Sequence, residues 1–172
     1  MNAAEILTFH QDYKPLVRFG TVIPGYFVSK TGEIYSEKTN RLLSSHIHTV
    51  PKVDGTRRVK EVLYSLSIER GLIEGYNHTR KDRVNCAKLL VAAHRAVAET
   101  WLSIDENPPE ELASTWNDVP EEWRQWVRDT ALVDHKDDDP TNNSKDNLQW
   151  KTPLQNQPYR KKQYQRELEN EV

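Results

Sequence analysis

The stretch VDHKDDDPTNNSKDNLQW, Val133 to Trp150, limits the fold more than any other part of the chain. It crowds five aspartates, three asparagines and one histidine between two apolar ends. A backbone carrying so many polar side chains belongs on the surface. Its apolar ends, ALVDHK and NLQWK, read as short strands that leave one place and return to it. A final helix is expected from Pro153 to about Leu168, so the last third reads strand, long loop, strand, helix.

Upstream, the period of the apolar residues changes once. TVIPGYFVS runs into KTGEIYS, with Thr31-Gly32 as the turn between two β-rich pieces. RLLSSHIHTV and RRVKEVLYSLSI continue with partial alternation around Asp54-Gly55, a strong hairpin signal. From NCAKLLVAAHRAVAETWL onward the spacing is helical: Leu89, Leu90, Ala93, Val97 and Trp101 recur at three and four residues. This predicts an amphipathic helix from near Asn85 to before Pro108-Pro109. A second short helix is expected in DVPEEWRQWVRDTA, with Asp118 as N-cap. The expected fold class is α+β: a strand-rich module over 1–84, then a unit over 85–172 that carries the opening stretch and an acidic insert at 103–130.

Composition narrows the class of partner. The net charge of -2 is an average over segregated blocks. Lys38 to Arg95 holds 12 basic and 5 acidic residues, Lys151 to Arg166 holds 5 basic and none acidic, and Ser103 to Thr130 holds 8 acidic and 2 basic. The basic blocks can hold a polyanion whatever the total. A single cysteine, Cys86, excludes an internal disulfide and a Cys-based zinc site, and reads as a small buried residue in a reducing compartment. The start MNAAEILTFHQDYK lacks a basic n-region and an apolar h-region, and the longest apolar run, LLVAA, is too short for a bilayer. No membrane partner is expected.

Asp134 and His135 end the first strand of the opening stretch, Asn147 opens the second, and Asn156 lies in the first turn of the final helix. Two antiparallel strands with a helix across them can bring all four to one spot. Asp and Asn offer hard oxygens, which suit Mg²⁺ or Mn²⁺ better than zinc. Histidine takes up a proton near neutral pH, so His135 can serve as a general base. The amide of Asn147 could fix the ring's direction without adding charge. A hard cation, a positioned base and flanking basic surface are the parts needed to hydrolyse a phosphodiester.

At these residues the sequence resembles the HNH nucleases, specifically the phage and intron-type HNH homing endonucleases. The stretch is similar to that family's block of Asp-His, turn, Asn-Asn, Asn-Leu, Trp. His135, Asn147 and Asn156 stand at the name-giving positions, with Asn at 156 where many relatives have His. AAHRAVAETWL resembles the helix that precedes the nuclease motif, and IPGYFVSKTGEIYS resembles the strand-rich N-terminal module of these proteins. The resemblance implies a ββα-metal nuclease motif after the β module and helix, acting on double-stranded DNA. It implies His135 as general base, Asn147 orienting it, and one Mg²⁺ or Mn²⁺ on Asp134 and Asn156, with no small-molecule cofactor. It also implies a monomer or homodimer in the cytoplasm, of a phage-infected bacterial host. Two departures stand out: the family's turn commonly has Gly at the place of Asp138, and the insert at 103–130 is longer than usual.

The other polar residues are read more plainly. Asp137, Asp138, Asp139, Asn142 and Asn143 are expected to shape and cap the loop, and the absence of a closing Glu and a sixth-position Gly disfavours an EF-hand. His94 is expected in the core, hydrogen-bonded to the loop. His46 and His48 share a strand face without a metal-ligand partner nearby, and Trp116, Trp123 and Trp126 are expected in a small core. Arg57, Arg58, Lys60, Lys151, Arg160, Lys161 and Lys162 are the expected phosphate contacts. The competing function is a non-catalytic DNA-binding protein that keeps an HNH-like fold.

Overall fold

The computed structural model describes residues 12–74 and 85–155. It begins with an antiparallel meander of four strands: β1 (Tyr13–Arg18), β2 (Thr21–Ser29), β3 (Ile34–Ser36) and β4 (Arg41–Leu42). Both expected pieces, TVIPGYFVS and the one after Thr31-Gly32, are there as β2 and β3. β1 is an addition. Its YKPLVR carries a proline and two charges and has little strand pattern of its own, yet it pairs along β2 as an edge strand.

A second antiparallel sheet contains β5 (His46–Pro51), β6 (Arg57–Glu69) and β7 (Cys86–Ala92). The β5–β6 hairpin turns at Asp54-Gly55, where Gly55 has a φ of +81° and Asp54 Oδ1 accepts from the Thr56 amide at 2.9 Å.

β7 corrects the expected helix start. Residues 86–92 are a strand, with Ala87, Leu89 and Val91 buried and Lys88 and Leu90 exposed, and they pair residue by residue from Glu69↔Cys86 to Leu63↔Ala92. Leu89, Ala93 and Val97 satisfy helical spacing, but the exposed backbone edge of β6 gives 86–92 a partner that an isolated helix turn cannot offer. The helix, α1, is Ala93–Trp101, and its buried face is Ala93, Ala96, Val97 and Ala98. Side chains this small let the helix lie close against its neighbours, and it touches β1, β2, β6 and β7.

The insert folds as two short helical turns, Glu110–Leu112 and Trp116–Asp118, and a helix α2 (Glu121–Thr130). Pro120, not Asp118, is the N-cap residue of α2, because Asp118 already closes the preceding turn. Trp116 is buried with Ala98, Val127, Ala131 and Trp150, whereas Trp123 and Trp126 are 63% and 53% exposed. Only one turn of α2 faces that small cluster, so two of the three expected core tryptophans stay outside. Arg128 binds Asp105 and Glu121, both at 2.7 Å, and this neutralises part of the insert's acidity internally.

The chain closes with β8 (Leu132–His135) and β9 (Leu148–Lys151), paired antiparallel from Leu132↔Lys151 to His135↔Leu148. These are the two strands expected around the polar loop. The class is α+β with antiparallel strands, and the helix expected over Pro153–Leu168 falls mostly outside the described residues. The larger of two core clusters among the described residues joins both sheets: Leu16, Ile23, Val28 and Ile34 of the meander cluster with Leu66, Leu89, Val91, Val97 and Leu148. No helix among the described residues is long and apolar enough to cross a membrane.

The strand over 86–92 has a direct test in adjacent leucines. Leu89 is fully buried and Leu90 is 46% exposed. Leu89→Ala should lower stability in denaturant unfolding by about 2–5 kcal/mol and Leu90→Ala by under about 1 kcal/mol. Equal losses at the two positions would contradict the alternation.

Candidate active site

β8 carries Asp134 and His135 to the end of the strand, with β9 alongside. Alternation along a strand sends adjacent side chains to opposite faces. Val133 packs against the core clusters, and His135 lies on its side of β8, towards α1. The His135 ring meets the ring of His94 edge-on, with centroids 5.3 Å apart and planes at 64°. Asp134 faces the other way. Its Oδ2 accepts from Gln149 Nε2 at 2.9 Å and is paired with the ammonium of Lys151.

His94 is half-buried beside the core and not within it, and its contact with the site is ring packing and not the expected hydrogen bond. Its Nδ1 is buried without a hydrogen-bond partner among the described residues. Burial first, and the nearby His135 second, push its pKa down to about 4, so the ring is neutral at neutral pH.

The loop between the strands is held by its own side chains. Asp137 Oδ1 accepts from the Asp139 amide at 2.9 Å and from Asn147 Nδ2 at 2.8 Å, and its Oδ2 accepts from Asn142 Nδ2 at 2.6 Å. Asp139 Oδ1 accepts from the Thr141 amide and hydroxyl at 2.9 and 2.7 Å. Asp138 takes a left-handed φ of +60°, so the loop keeps the geometry that a glycine would supply at that place, at a cost of about 1–2 kcal/mol. The aspartates therefore shape the loop, as expected for Asp137, Asp138 and Asp139.

Two amides exchange the roles expected of them. Asn147 does not reach the His135 ring. Its Nδ2 bonds to Asp137 and to the Asn142 carbonyl, and its Oδ1 accepts from the Asp137 amide at 3.2 Å. The amide that meets the ring is Asn143, with Oδ1 3.2 Å from His135 Nε2. Asn143 is 5% exposed although the residues before it lie in solvent. No spacing rule separates three asparagines in one loop; the sequence signal available was only the pair Asn142-Asn143.

Asp134 and His135 both line an open cleft of about 740 Å³ at the end of β8. Asp138, Asp139, Pro140 and Thr141 of the loop and Lys52, Arg58, Val59 and Lys60 also line it. Of the three basic residues expected after the Asp54-Gly55 turn, Arg58 and Lys60 thus reach the cleft. Arg57 falls on the other face of β6, where its Nε and Nη2 bind Thr49 Oγ1 and O at 2.7 and 2.9 Å. Lys52 is a basic residue that the sequence reading passed over. Lys151 is engaged by Asp134 instead of standing free for phosphate. His48 Nδ1 lies 3.1 Å from Glu61 Oε1, away from any cluster of ligands. Asn156, Arg160, Lys161 and Lys162 lie outside the described residues.

Among the described residues no three His, Cys, Asp or Glu side chains converge as a metal site. Asp134 is the one carboxylate beside His135 that already attracts a cation, the Lys151 ammonium. Lys151 and Gln149 both approach Oδ2, which leaves Oδ1 as the hard oxygen for a metal.

No protein-family model matches the chain, and no curated protein matches it. A solved structure described as "DNA binding and cleavage by the HNH homing endonuclease I-HmuI" is similar to it, with 24% sequence identity and a TM-score of 0.43 over 82% of this chain and 52% of that one. The chain spans about half the length of that protein.

The loop's hydrogen bonds set a pH dependence. The Asp139 amide and the Asn147 and Asn142 side chains hold the Asp137 carboxyl below its ordinary range, and Thr141 does the same for Asp139. A lowered folded pKa stabilises the loop above the unfolded carboxylate value of about 3.9, and the contribution disappears as pH falls through the folded values. Amide protection of Asp139 and Thr141, followed by NMR, should persist at neutral pH and collapse in acid below that range. Asp137→Asn should weaken protection of the Asp139 amide already at neutral pH; unchanged protection would remove Asp137 as the organiser.

Proposed function

We propose that the chain is a metal-dependent DNA endonuclease of HNH type, with His135 as the general base and Asp134 and Asn156 as the protein ligands of one Mg²⁺ or Mn²⁺. The observation that carries this reading is the cleft itself, which Asp134 and His135 line together with Lys52, Arg58 and Lys60. A phosphodiester backbone drawn to these basic residues would bring a phosphate past the base. Backbone contacts of this kind hold and orient DNA without reading its sequence. The motif around Asp134, His135, Asn147 and Asn156 supports the same chemistry independently of the cleft.

In that reaction Arg58 and Lys60 hold phosphate oxygens, and His135 takes the proton from a water that attacks phosphorus. The P–O3′ bond breaks, and the leaving oxygen takes a proton from solvent. A divalent ion on Asp134 and Asn156 would supply charge for the phosphate and the departing oxygen. Asn147 acts one step back, by tying Asp137 and Asn142 so that the loop keeps its shape. His94 stays neutral behind His135 and adds no charge to compete for the proton.

One observation favours the second reading, a DNA-binding protein without nuclease activity: Lys151 already neutralises the carboxylate that a metal would use. Plasmid cleavage separates the two. Cleavage should require Mg²⁺ or Mn²⁺ and stop on addition of EDTA, and Asp134→Ala should lose most activity and regain part of it at high metal concentration. Binding without cleavage at any metal concentration would decide for the second reading.

The base assignment has its own test, because a general base acts in the transition state and contributes little to ground-state affinity. His135→Ala should slow cleavage by about 10² to 10⁴-fold while DNA affinity, measured with Ca²⁺ in place of Mg²⁺, stays the same. Cleavage at the wild-type rate would place the base elsewhere.

A further inference from the structure

We infer that Asn143 is the residue that positions the His135 ring, and that the β2–β3 turn at Gly32 holds Asn143 in place; the inference rests on the reading of His135 as a base. Asn143 is the one residue of the loop turned fully inward. Its Nδ2 donates to the Thr141 carbonyl at 3.0 Å, so the oxygen end of the amide is the end that faces His135 Nε2. An amide oxygen only accepts, so Nε2 must carry the hydrogen. The lone pair is then on Nδ1, and Nδ1 is the atom left to take a proton from water. A carboxamide fixes the tautomer in this way without adding charge beside the phosphate.

The support for Asn143 comes from the far end of the sequence. Gly32 has a φ of +91°, and a Cβ built on it would lie 3.0 Å from Asn143 Cβ, 3.4 Å from Ala93 Cβ and 3.6 Å from Val97 Cγ2. Glycine is required there twice, for the backbone angle and for the space. Beside it, the Lys145 amide donates to the Lys30 carbonyl at 2.8 Å, which ties the same turn to the chain just after Asn143. The turn thus presses on the back of the loop where its amide meets the base, while His94 closes on another side of the ring. Asn147, whose amide is bonded to Asp137 and Asn142, has no such contact.

The test uses the full chain, ¹⁵N-labelled and metal-free, at a pH where imidazole is neutral, and reads the protonation of the two His135 nitrogens by NMR. Wild type should show the Nε2–H tautomer, and Asn143→Asp, which keeps an accepting oxygen, should keep Nε2 protonated. Asn143→Leu and Gly32→Ala should show a mixture of tautomers. With supercoiled plasmid and Mg²⁺, Asn143→Leu should lower the single-turnover rate by about 10- to 100-fold, the scale on which partners that orient an imidazole act. DNA affinity in Ca²⁺ should not change, and Asn143→Asp should recover part of the rate. Gly32→Ala should lower the rate in the same direction and, if Asn143→Leu does not fold, carries the test alone. A wild-type tautomer and rate in Asn143→Leu or Gly32→Ala would overturn the inference while leaving the loss in His135→Ala intact. If His135→Ala cleaves like wild type, the base reading fails instead, and the tautomer measurement still decides what Asn143 does.

Discussion

The nine-residue helix from Ala93 to Trp101 is the piece against which everything else is placed. It is held by close packing of Ala93, Ala96, Val97 and Ala98, all buried. Its edges make the polar ties. Thr100 Oγ1 accepts from the Val17 amide at 3.0 Å, Glu99 is ion-paired with Arg18, and Trp101 Nε1 donates to the Val28 carbonyl at 3.1 Å. Just past its end, the Leu102 carbonyl accepts from Trp150 Nε1 at 2.6 Å and fixes β9 to the same helix. His94 projects from its first turn onto His135. The meander, the site strands and His135 are therefore located by one short element.

That arrangement explains why parts of the fold were legible in the sequence and parts were not. The hairpins at Thr31-Gly32 and Asp54-Gly55 were legible because a turn residue with positive φ and flanking alternation are local facts. The strands around Asp134-His135 and Leu148-Trp150 were legible for the same reason. The boundary between β7 and α1 was not, since Leu89, Ala93 and Val97 satisfy both periods until β6 supplies a partner for the first part. β1 was not legible either, because its stability is in its pairing with β2 and in its ties to Glu99 and Thr100.

At the candidate site the same division holds. Residue types pointed to His135 and Asp134, and the register of a strand then follows from adjacency. The choice between Asn143 and Asn147 depends on the path of an irregular loop, which is set by Asp138 at positive φ and by the ladder of bonds from Asp137 and Asp139. Alternation along β6 likewise sorts Arg58 and Lys60 from Arg57, but only once the strand is known to face the loop.

The division of labour inside the loop has a physical logic. Asp137, Asp139, Asn142 and Asn147 are solvent-facing and bond mainly to one another, so they fix a shape at the surface. Asn143 is the exception, buried and bonded inward. A carboxylate in its place would put negative charge against the ring and beside any incoming phosphate. An apolar side chain would fill the space and leave the ring's Nε2 without an acceptor. On the inference drawn above, an amide would orient the ring and leave the charge of the site to Asp134, Lys151, Arg58 and Lys60. The Lys151–Asp134 pair then matters in a new way, because Asp134 lines the cleft and its carboxylate already has a cationic partner. On the proposed reading, a metal on Asp134 would displace the Lys151 ammonium and leave it for phosphate, so the two events would be one exchange.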